Sequence, residues 1–292
     1  MDKQQEPFRH AHATDRKRKN ILVVNGEADW QEYFPGYQVY SRRIQHSSWL
    51  YHQKALWVFD TSGGVRVDAV LWRVGAIKPA PEQRHALELV RMAGIPCLNP
   101  APLLLRGYDR LAMLNELREA GLPVQSFSVA LGDRMLDLLH PDFPAVLKVG
   151  NFHGGFGKMR IASEEHWADA KDMAFVTNTY ATLEPYIDYT RDIRCLAVGD
   201  HTWAMSRRGA TWKANTQTQE YQLILAPAPL EAWTRQAMKH FQADVLALDF
   251  LERSDGSYVL LESNDIPGFS GFPTVVREAV AALLCRKLED IS

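Results

Sequence analysis

The chain has 292 residues, of which 46% are hydrophobic, and a formal net charge of -2 at pH 7. This length and apolar content can bury a core for two or three subdomains. The near-neutral charge argues against a protein that binds nucleic acid or membranes by overall electrostatic attraction.

Three widely spaced cysteines, Cys97, Cys195 and Cys285, form no CxxC pair and no even-numbered disulfide framework. They favour a reducing compartment and argue against a zinc site. No apolar run reaches the roughly 18 residues that a membrane helix needs, and the N-terminus does not resemble a signal peptide. We therefore expect a cytoplasmic protein without a membrane partner.

The first 19 residues are polar and include the basic cluster at positions 16–19. They are predicted to form a disordered basic tail. A contact of this tail with nucleic acid or with a partner protein is the alternative.

Strands and helices alternate in the next hundred residues. Residues 20–25 and 67–75 are apolar runs typical of buried strands, and residues 82–93 have helical spacing ending at Gly94. A short strand follows at 95–100, and a second helix covers 109–120 with Gly121 as its stop. This alternation predicts an α/β layer with parallel strands.

From residue 143 the pattern changes to short strands, glycines and turns, which predicts a mixed or antiparallel sheet. Helices are expected at 231–241 and 274–288.

A glycine-rich segment lies between two of these strands. Gly150, Gly154, Gly155 and Gly157 are flanked by Lys148 and Lys158. Glycines let backbone N–H groups approach a polyphosphate, and a lysine neutralises its charge. The strand on each side, and Met159 after Lys158, distinguish this loop from a Walker A loop. A flexible surface loop is the alternative explanation.

Two carboxylates are expected to meet in a hairpin near the C-terminus. Strands at 246–251 and 258–262, joined by a Ser-Asp-Gly turn, can place Asp249 beside Glu262. Asn264 then faces the same way as Glu262. Such hard oxygen ligands suit Mg²⁺, although solvated acids on a surface turn would give the same pattern.

Basic residues accumulate between the glycine loop and this hairpin. Such side chains can neutralise charge that develops during phosphoryl transfer. The candidates, which include one amide, are Arg194, Arg207, Arg208, Lys213 and Asn215.

Taken in order, these segments resemble the ATP-grasp superfamily, in particular RimK-type glutamate ligases and the synapsin ATP-binding domain. The motifs that carry the resemblance are "VDAVLWRVG", "LNPAPLLLRGYDRLAMLNELREAGLPV", "KVGNFHGGFGK", "YATLEPYIDYTRDIRCLAVGD", "WKANT" and "ALDFL…LLESN". The resemblance covers the chain from about residue 20 to the end. The resemblance implies an α/β (α+β) ATP-grasp fold with an N-terminal parallel-sheet domain at 20–105. A central glycine-lid subdomain at 106–182 and a C-terminal nucleotide- and Mg-binding subdomain at 183–292 would follow, with residues 1–19 as the tail.

The resemblance also implies ATP and Mg²⁺ as cofactors, with two ions bridged by Glu262 and Mn²⁺ as a substitute. Asp249, Glu262 and Asn264 would bind the metal, and Arg207 or Arg208, Lys213 and Asn215 would face the γ-phosphate as catalytic residues. The residues that would contact the nucleotide are Lys148, Gly154, Gly155, Gly157, Lys158, Glu184, Tyr186, Ile187, Asp192 and Arg110. Arg73 and Arg194 are the expected substrate contacts.

Two departures from the family pattern limit these expectations. Asp109-Arg110 stands where the family usually has Asp-Lys, and arginine does not reproduce the geometry of lysine. The segment after Asn215, "TQTQEY", lacks the basic character of the glutamate-adding ligases. Glutamate as the substrate is therefore weakly supported.

The leading functional hypothesis is a carboxylate–amine ligase. ATP would phosphorylate a small-molecule or peptide carboxylate, and an amine would then displace phosphate. A small-molecule kinase and a synapsin-like regulatory protein that binds ATP without turnover are the alternatives. Self-association into a homo-oligomer is also possible for a protein of this kind.

Overall fold

Layers of β-sheet covered by helices make up the protein. The computed structural model describes residues 18–75, 78–107, 109–132, 134–177, 179–209, 211–213 and 218–291. Within these ranges no helix is both long and apolar enough to cross a membrane.

The N-terminal region contains a parallel sheet and a separate antiparallel meander. Its strands are β1 (Asn20–Val24), β2 (Gln38–Arg42), β3 (Ser48–His52), β4 (Ala55–Asp60), β5 (Gly63–Val67), β6 (Ala69–Trp72) and β7 (Cys97–Leu98). The parallel sheet has the order β2–β1–β6–β7, and β3–β4–β5 form the meander. Every residue of β1 is buried, as expected for a central parallel strand covered on both faces.

Helix α1 (Pro81–Ala93) connects β6 to β7 and ends at Gly94, which is in the left-handed conformation at φ +65°. The parallel layer and this helix were predicted from the sequence. The meander was not, and the predicted strand at 67–75 is divided. The chain turns at Asp68, whose backbone N–H donates to the Asn20 carbonyl while its carboxylate accepts from the Asn20 N–H.

Two helices lead out of the N-terminal region, α2 (Ala101–Arg106) and α3 (Arg110–Glu119). The Asp109 side chain caps α3 by accepting from the backbone N–H groups of Leu111 and Ala112. Gly121 follows the helix at φ +71°, in agreement with its expected role as the stop.

The central sheet is antiparallel with the order β10–β9–β11–β8. It comprises β8 (Ser128–Ala130), β9 (Ala145–Val149), β10 (Lys158–Ile161) and β11 (Ala181–Pro185), with α4 (Glu164–Phe175) packed against it. The boundary expected between residues 182 and 183 falls inside β11, so the chain leaves this sheet only after Pro185.

The C-terminal sheet is antiparallel with the order β14–β13–β12–β15–β16. It comprises β12 (Arg191–Val198), β13 (His201–Gly209), β14 (Thr218–Ile224), β15 (Val245–Glu252) and β16 (Tyr258–Asn264). Helix α5 (Ala228–Phe241) precedes β15, and α6 (Val275–Glu289) follows β16. Short 3₁₀ helices occupy Ala28–Tyr33, Ile44–His46 and Met135–Leu138.

One hydrophobic cluster joins the two ends of the chain. Ile21 and Val23 of β1 pack in it with Leu284 of α6 and with Leu196 and Val245 of the C-terminal sheet. One face of the N-terminal sheet therefore packs in the same core as the last helix, while its other face packs in a second cluster with the meander and α1.

Candidate active site

A pocket lies between the central and the C-terminal sheets, and we call it the lysine pocket. Its walls include residues selected from the sequence, namely Lys148, Lys158, Glu184, Tyr186, Ile187, Lys213 and Glu262. The other lining residues are Val146, Pro185, Tyr189, Trp212, Leu251 and Leu261. Apolar and aromatic walls can hold a planar ring, and the lysines can hold an anion.

Lys148 and Glu184 form a buried ion pair in this pocket. Lys148 Nζ donates to Glu184 Oε2, and the Thr182 hydroxyl lies 3.4 Å from Glu184 Oε1. Burial and repulsion from Arg110 lower the pKa of Lys148 to about 8, although Glu184 opposes the shift. An anion entering the pocket would favour the charged form of this lysine.

The glycine loop connects β9 to β10 above this pocket. Gly150, Gly154, Gly155 and Gly157 all have positive φ, and Lys148 lies opposite Lys158 in the strand register. Lys213 Nζ donates to the Gly155 carbonyl at 3.0 Å, so a residue of the segment that follows β13 contacts the loop. The predicted strand–loop–strand arrangement is present, with both lysines on the pocket side.

The two expected carboxylates lie side by side. Asp249 of β15 is the register partner of Glu262 of β16, and the register shifts immediately after this pair. Asn264 Nδ2 donates to Asp249 Oδ2 at 3.0 Å. Burial raises the pKa of the Glu262 carboxyl, but the positive charges of Lys158 and Arg110 outweigh burial and hold it below its usual value.

A buried charge network surrounds Asp249, which is fully buried. Arg194 Nε and Nη2 donate to its two oxygens at 2.8 and 2.7 Å. Arg207 Nη2 bridges Asp249 Oδ1 at 2.9 Å and Asp192 Oδ1 at 2.6 Å. Strand register brings these groups together, since Arg194 is opposite Asp249 and Asp192 is opposite Arg207.

This network gives three of the expected site residues partners within the protein. Arg194, expected at the substrate, has two guanidinium nitrogens bonded to Asp249. Asp192, expected near a ribose, is buried against Arg207 and does not line the lysine pocket. Arg207, expected at the γ-phosphate, is buried and holds two carboxylates. Sequence reasoning missed the network because it depends on pairing between strands distant in the chain.

The side-chain oxygen atoms expected to bind a metal are chemically suited to a divalent cation. Glu262, Asp249 and Asn264 supply hard oxygen atoms from one face of adjoining strands, which Mg²⁺ prefers. Asp249 already accepts from two arginines, so an ion that used it would share its oxygens with them or displace them. Across the described ranges no group of three His, Cys, Asp or Glu residues is placed to hold a metal, as expected for a set with two carboxylates and one amide.

A second pocket, which we call the Arg110 pocket, adjoins the first. Glu262 lines both. The residues that line the Arg110 pocket are Trp72, Val74, Gly75, Pro79, Gln83, Leu87, Leu104, Gly107, Arg110, Met113, His153, Glu262, Ser263, Asn264, Asp265 and Ile266. Arg110, expected at the nucleotide, thus lies in this pocket, outside the described lining of the lysine pocket.

Sequence reasoning missed most of the second pocket. His153 was given no role because histidines in loops are usually exposed; it is exposed, but it lines this pocket. Asp265 follows Asn264 directly but was assigned no role, although burial raises its pKa to about 6. The position of Asp265 next to a metal-type motif was the available signal.

Two other expected site residues are absent from the described lining of both pockets. Arg73 donates from Nη1 to the Pro267 carbonyl at 2.8 Å and lies over the Phe269 ring at 4.4 Å. Its neighbours Trp72 and Val74 line the Arg110 pocket, but Arg73 itself does not. Arg208 is exposed on the face of β13 opposite Arg207. Asn215 lies outside the described residues.

Comparisons with known proteins match an ATP-binding domain and two kinds of ligase. The family model "Synapsin, ATP binding domain" matches residues 124–281, which is more than half of the chain. Synapsin of Drosophila melanogaster is 23% identical over 214 residues, covering 68% of this chain and 21% of that protein. A "Probable alpha-L-glutamate ligase" of Stutzerimonas stutzeri is 28% identical over 232 residues, covering 76% of each chain.

The overlap with other relatives is partial. The chain spans about a fifth of the Drosophila synapsin and 52% of a D-alanine–D-alanine ligase from a Thermoanaerobacter strain, which is 28% identical over 188 residues, or 56% of this chain.

The fold is shared with a solved structure. D-alanyl-alanine synthetase A from Vibrio cholerae matches with a TM-score of 0.75 at 13% identity, covering 94% of this chain and 100% of that chain. The fold expected from the sequence is therefore confirmed.

Proposed function

Because the chain belongs to the synapsin ATP-binding-domain family, within the ATP-grasp superfamily, we propose that it is an ATP-dependent carboxylate–amine ligase. It would form an amide bond through an acyl phosphate and release ADP and phosphate. The observation that supports this proposal best is that Glu262 lines both pockets. A phosphoryl group passing from one pocket to the other would cross at this carboxylate.

The lysine pocket would hold ATP. Tyr186 and Ile187 would cover the base, and Glu184 would lie beside it. Lys148 and Lys158 would neutralise the phosphates, since both lie on the strands that flank the glycine loop. Gly154, Gly155 and Gly157 would then close over the phosphates and exclude water. Lys213, already bonded to the loop, would hold it in that position.

Glu262, Asp249 and Asn264 would hold Mg²⁺, which would supply positive charge to the phosphates. Lys158 and Arg110 lie 4.0 and 3.9 Å from Glu262 and help to keep this carboxylate ionised. Because Asp249 is tied to Arg194 and Arg207, it would fix the two arginines behind the site.

The reaction would proceed in two displacements. A substrate carboxylate oxygen in the Arg110 pocket attacks the γ-phosphorus, the bond to the β–γ bridging oxygen breaks, and ADP leaves. The amine then attacks the acyl carbon, the carbon–oxygen bond to phosphate breaks, and the amine loses a proton. Positioning and electrostatic stabilisation account for both steps, so no nucleophilic side chain is needed.

Trapping of the activated acyl group tests the proposal. The protein is mixed with ATP, Mg²⁺, hydroxylamine and pooled carboxylic acids, and mass spectrometry detects ADP and hydroxamates. We expect both products from the wild type and neither from Glu262→Gln. Glu165→Gln, the same change at an exposed position of α4, should behave as wild type.

Other outcomes would contradict the ligase. A phosphorylated hydroxyl compound without a hydroxamate would indicate a kinase, and AMP in place of ADP would exclude acyl-phosphate chemistry. ATP binding without turnover in any pool would favour a regulatory ATP-binding protein.

A further inference from the structure

The Arg110 pocket contains the guanidinium group of Arg110, and some of its hydrogen-bond donors have no partner in the described part of the chain. The Arg110 side chain is 4% exposed, and its Nε and Nη2 atoms have no hydrogen-bond partner among the described residues. Nη1 is 3.9 Å from Glu262 Oε2, which is too long for a hydrogen bond. Buried donors of this kind are costly unless an anion completes them. Arg110 therefore marks a place for an anionic group beside Glu262.

The same pocket contains a carboxylate without a countercharge. Asp265 is partly buried and forms no ion pair with any residue that the structure describes. Its Oδ2 atom abuts Gly107, where a Cβ atom would lie only 2.4 Å away. Asn99 Nδ2 donates to the Asp265 carbonyl at 2.6 Å and holds this part of the chain in place. A carboxylate fixed in a pocket in this way can receive a ligand cation.

The walls between these charges are apolar. Trp72, Val74, Leu87, Leu104 and Met113 contribute to them. The space continues past Gly107 and Asp265 into a small recess lined by apolar residues such as Leu103 and Leu246 and by the charged residues Arg106 and Glu116. Within the described lining of the Arg110 pocket itself Arg110 is the only arginine or lysine; Arg106 lines the recess and donates from Nη2 to the Phe241 carbonyl at 3.0 Å.

A guanidinium group with two unused donors, a carboxylate without a cationic partner among the described residues, and apolar walls together describe a zwitterion with an apolar substituent. We infer that the carboxylate substrate is an α-amino acid with an apolar side chain, bound with its carboxylate at Arg110 and its ammonium group at Asp265. This inference rests on the proposed function, in which the Arg110 pocket holds the acyl donor. The ammonium group keeps its protons, so the product is an amide whose free amino end carries the apolar residue.

Calorimetric titration in the presence of ADP and Mg²⁺ tests both charges separately. The probes are L-leucine and D-leucine, 4-methylpentanoate (which lacks the ammonium group), leucinamide (which lacks the carboxylate) and L-glutamate. We expect one leucine enantiomer to bind, and the other three compounds to bind at least tenfold more weakly than it. Equal binding of 4-methylpentanoate, or tighter binding of glutamate, would overturn the inference.

Asp265→Asn removes the carboxylate proposed to bind the ammonium group, and so complements the ligand series from the side of the protein. We expect its affinity for leucine to fall at least tenfold while its affinity for ADP stays within twofold of wild type. Asp200→Asn, the same change at an exposed position, should leave both affinities unchanged. Unchanged leucine affinity in Asp265→Asn would refute the role of this carboxylate, and the analogue series on the wild type stays decisive if the variant folds poorly.

The two levels of the argument can fail separately. Absence of ADP binding would contradict the nucleotide site and with it the proposed ligase. ADP binding together with a hydroxamate of an acid that lacks an amino group would leave the ligase intact and refute only the amino-acid substrate.

Discussion

At the scale of single residues, Asp249 is the point on which the buried charges converge. It is fully buried and accepts hydrogen bonds from Arg194, Arg207 and Asn264. Asp249→Asn would remove the negative charge that neutralises the buried guanidinium groups of Arg194 and Arg207. We expect the free energy of unfolding to fall by about 3 kcal/mol, measured by denaturant titration.

Asp200→Asn is the control for this change, because Asp200 is exposed on the turn after β12. It should alter the free energy of unfolding by less than about 0.5 kcal/mol. Equal stability of Asp249→Asn and wild type would show that the arginines find other partners.

Lys148 gives the site a pH dependence. Burial lowers its pKa from 10.5 to about 8 in the folded protein. Between these values the unfolded chain binds more protons, so the contribution of this group to stability increases as pH rises through that window. Its charge, however, is lost over the same range. We therefore expect the affinity for ADP to decrease above about pH 8 in the wild type, measured by calorimetry.

The Lys148→Met variant should bind ADP more weakly and should lack this step in its pH profile. A step of the same size in the variant would assign the titration to another group.

At the scale of elements, the glycine loop depends on backbone conformations that other residues avoid. Gly157 has φ +66°, and a Cβ atom there would lie 2.6 Å from the Val149 carbonyl oxygen. Because the obstacle is backbone, Gly157→Ala should cost about 1–3 kcal/mol of stability and weaken ADP binding. Thermal unfolding and ADP titration measure the two effects. Gly268→Ala is the control, since nothing lies within 4 Å of its Cβ position.

Sequence patterns predicted local elements well. The antiparallel flanks of the glycine loop and the pairing of Asp249 with Glu262 follow from alternation and turn residues over short stretches. The meander β3–β4–β5 was missed because polar residues such as Ser48 and His52 interrupt its apolar pattern. The role of Arg73 at Pro267 depends on a contact between residues 194 positions apart, which no local pattern contains.

At the scale of the whole molecule, the first strand and the last helix share one core. Leu284 of α6 is fully buried in the cluster that contains Ile21 and Val23 of β1. Leu284→Ala should therefore destabilise the protein by about 3 kcal/mol. Hydrogen exchange should accelerate in β1 as well as in α6. Loss of protection confined to α6 would contradict a shared core.

The exposed position Val275, at the start of the same helix, provides the control. Val275→Ala should leave the exchange of β1 unchanged and shift the free energy of unfolding by less than about 0.5 kcal/mol.

The position of Glu262 between two pockets has a consequence for efforts to redirect this protein by laboratory evolution. Under the proposed function, a mutation at the shared wall would alter both the affinity for the nucleotide and the preference for the carboxylate substrate. Selection at this position would therefore face a trade-off. Trp72, Leu104 and Met113 belong to the described lining of the Arg110 pocket and not to that of the lysine pocket. Libraries confined to these three positions could therefore explore new carboxylate substrates while the proposed ATP site stays constant.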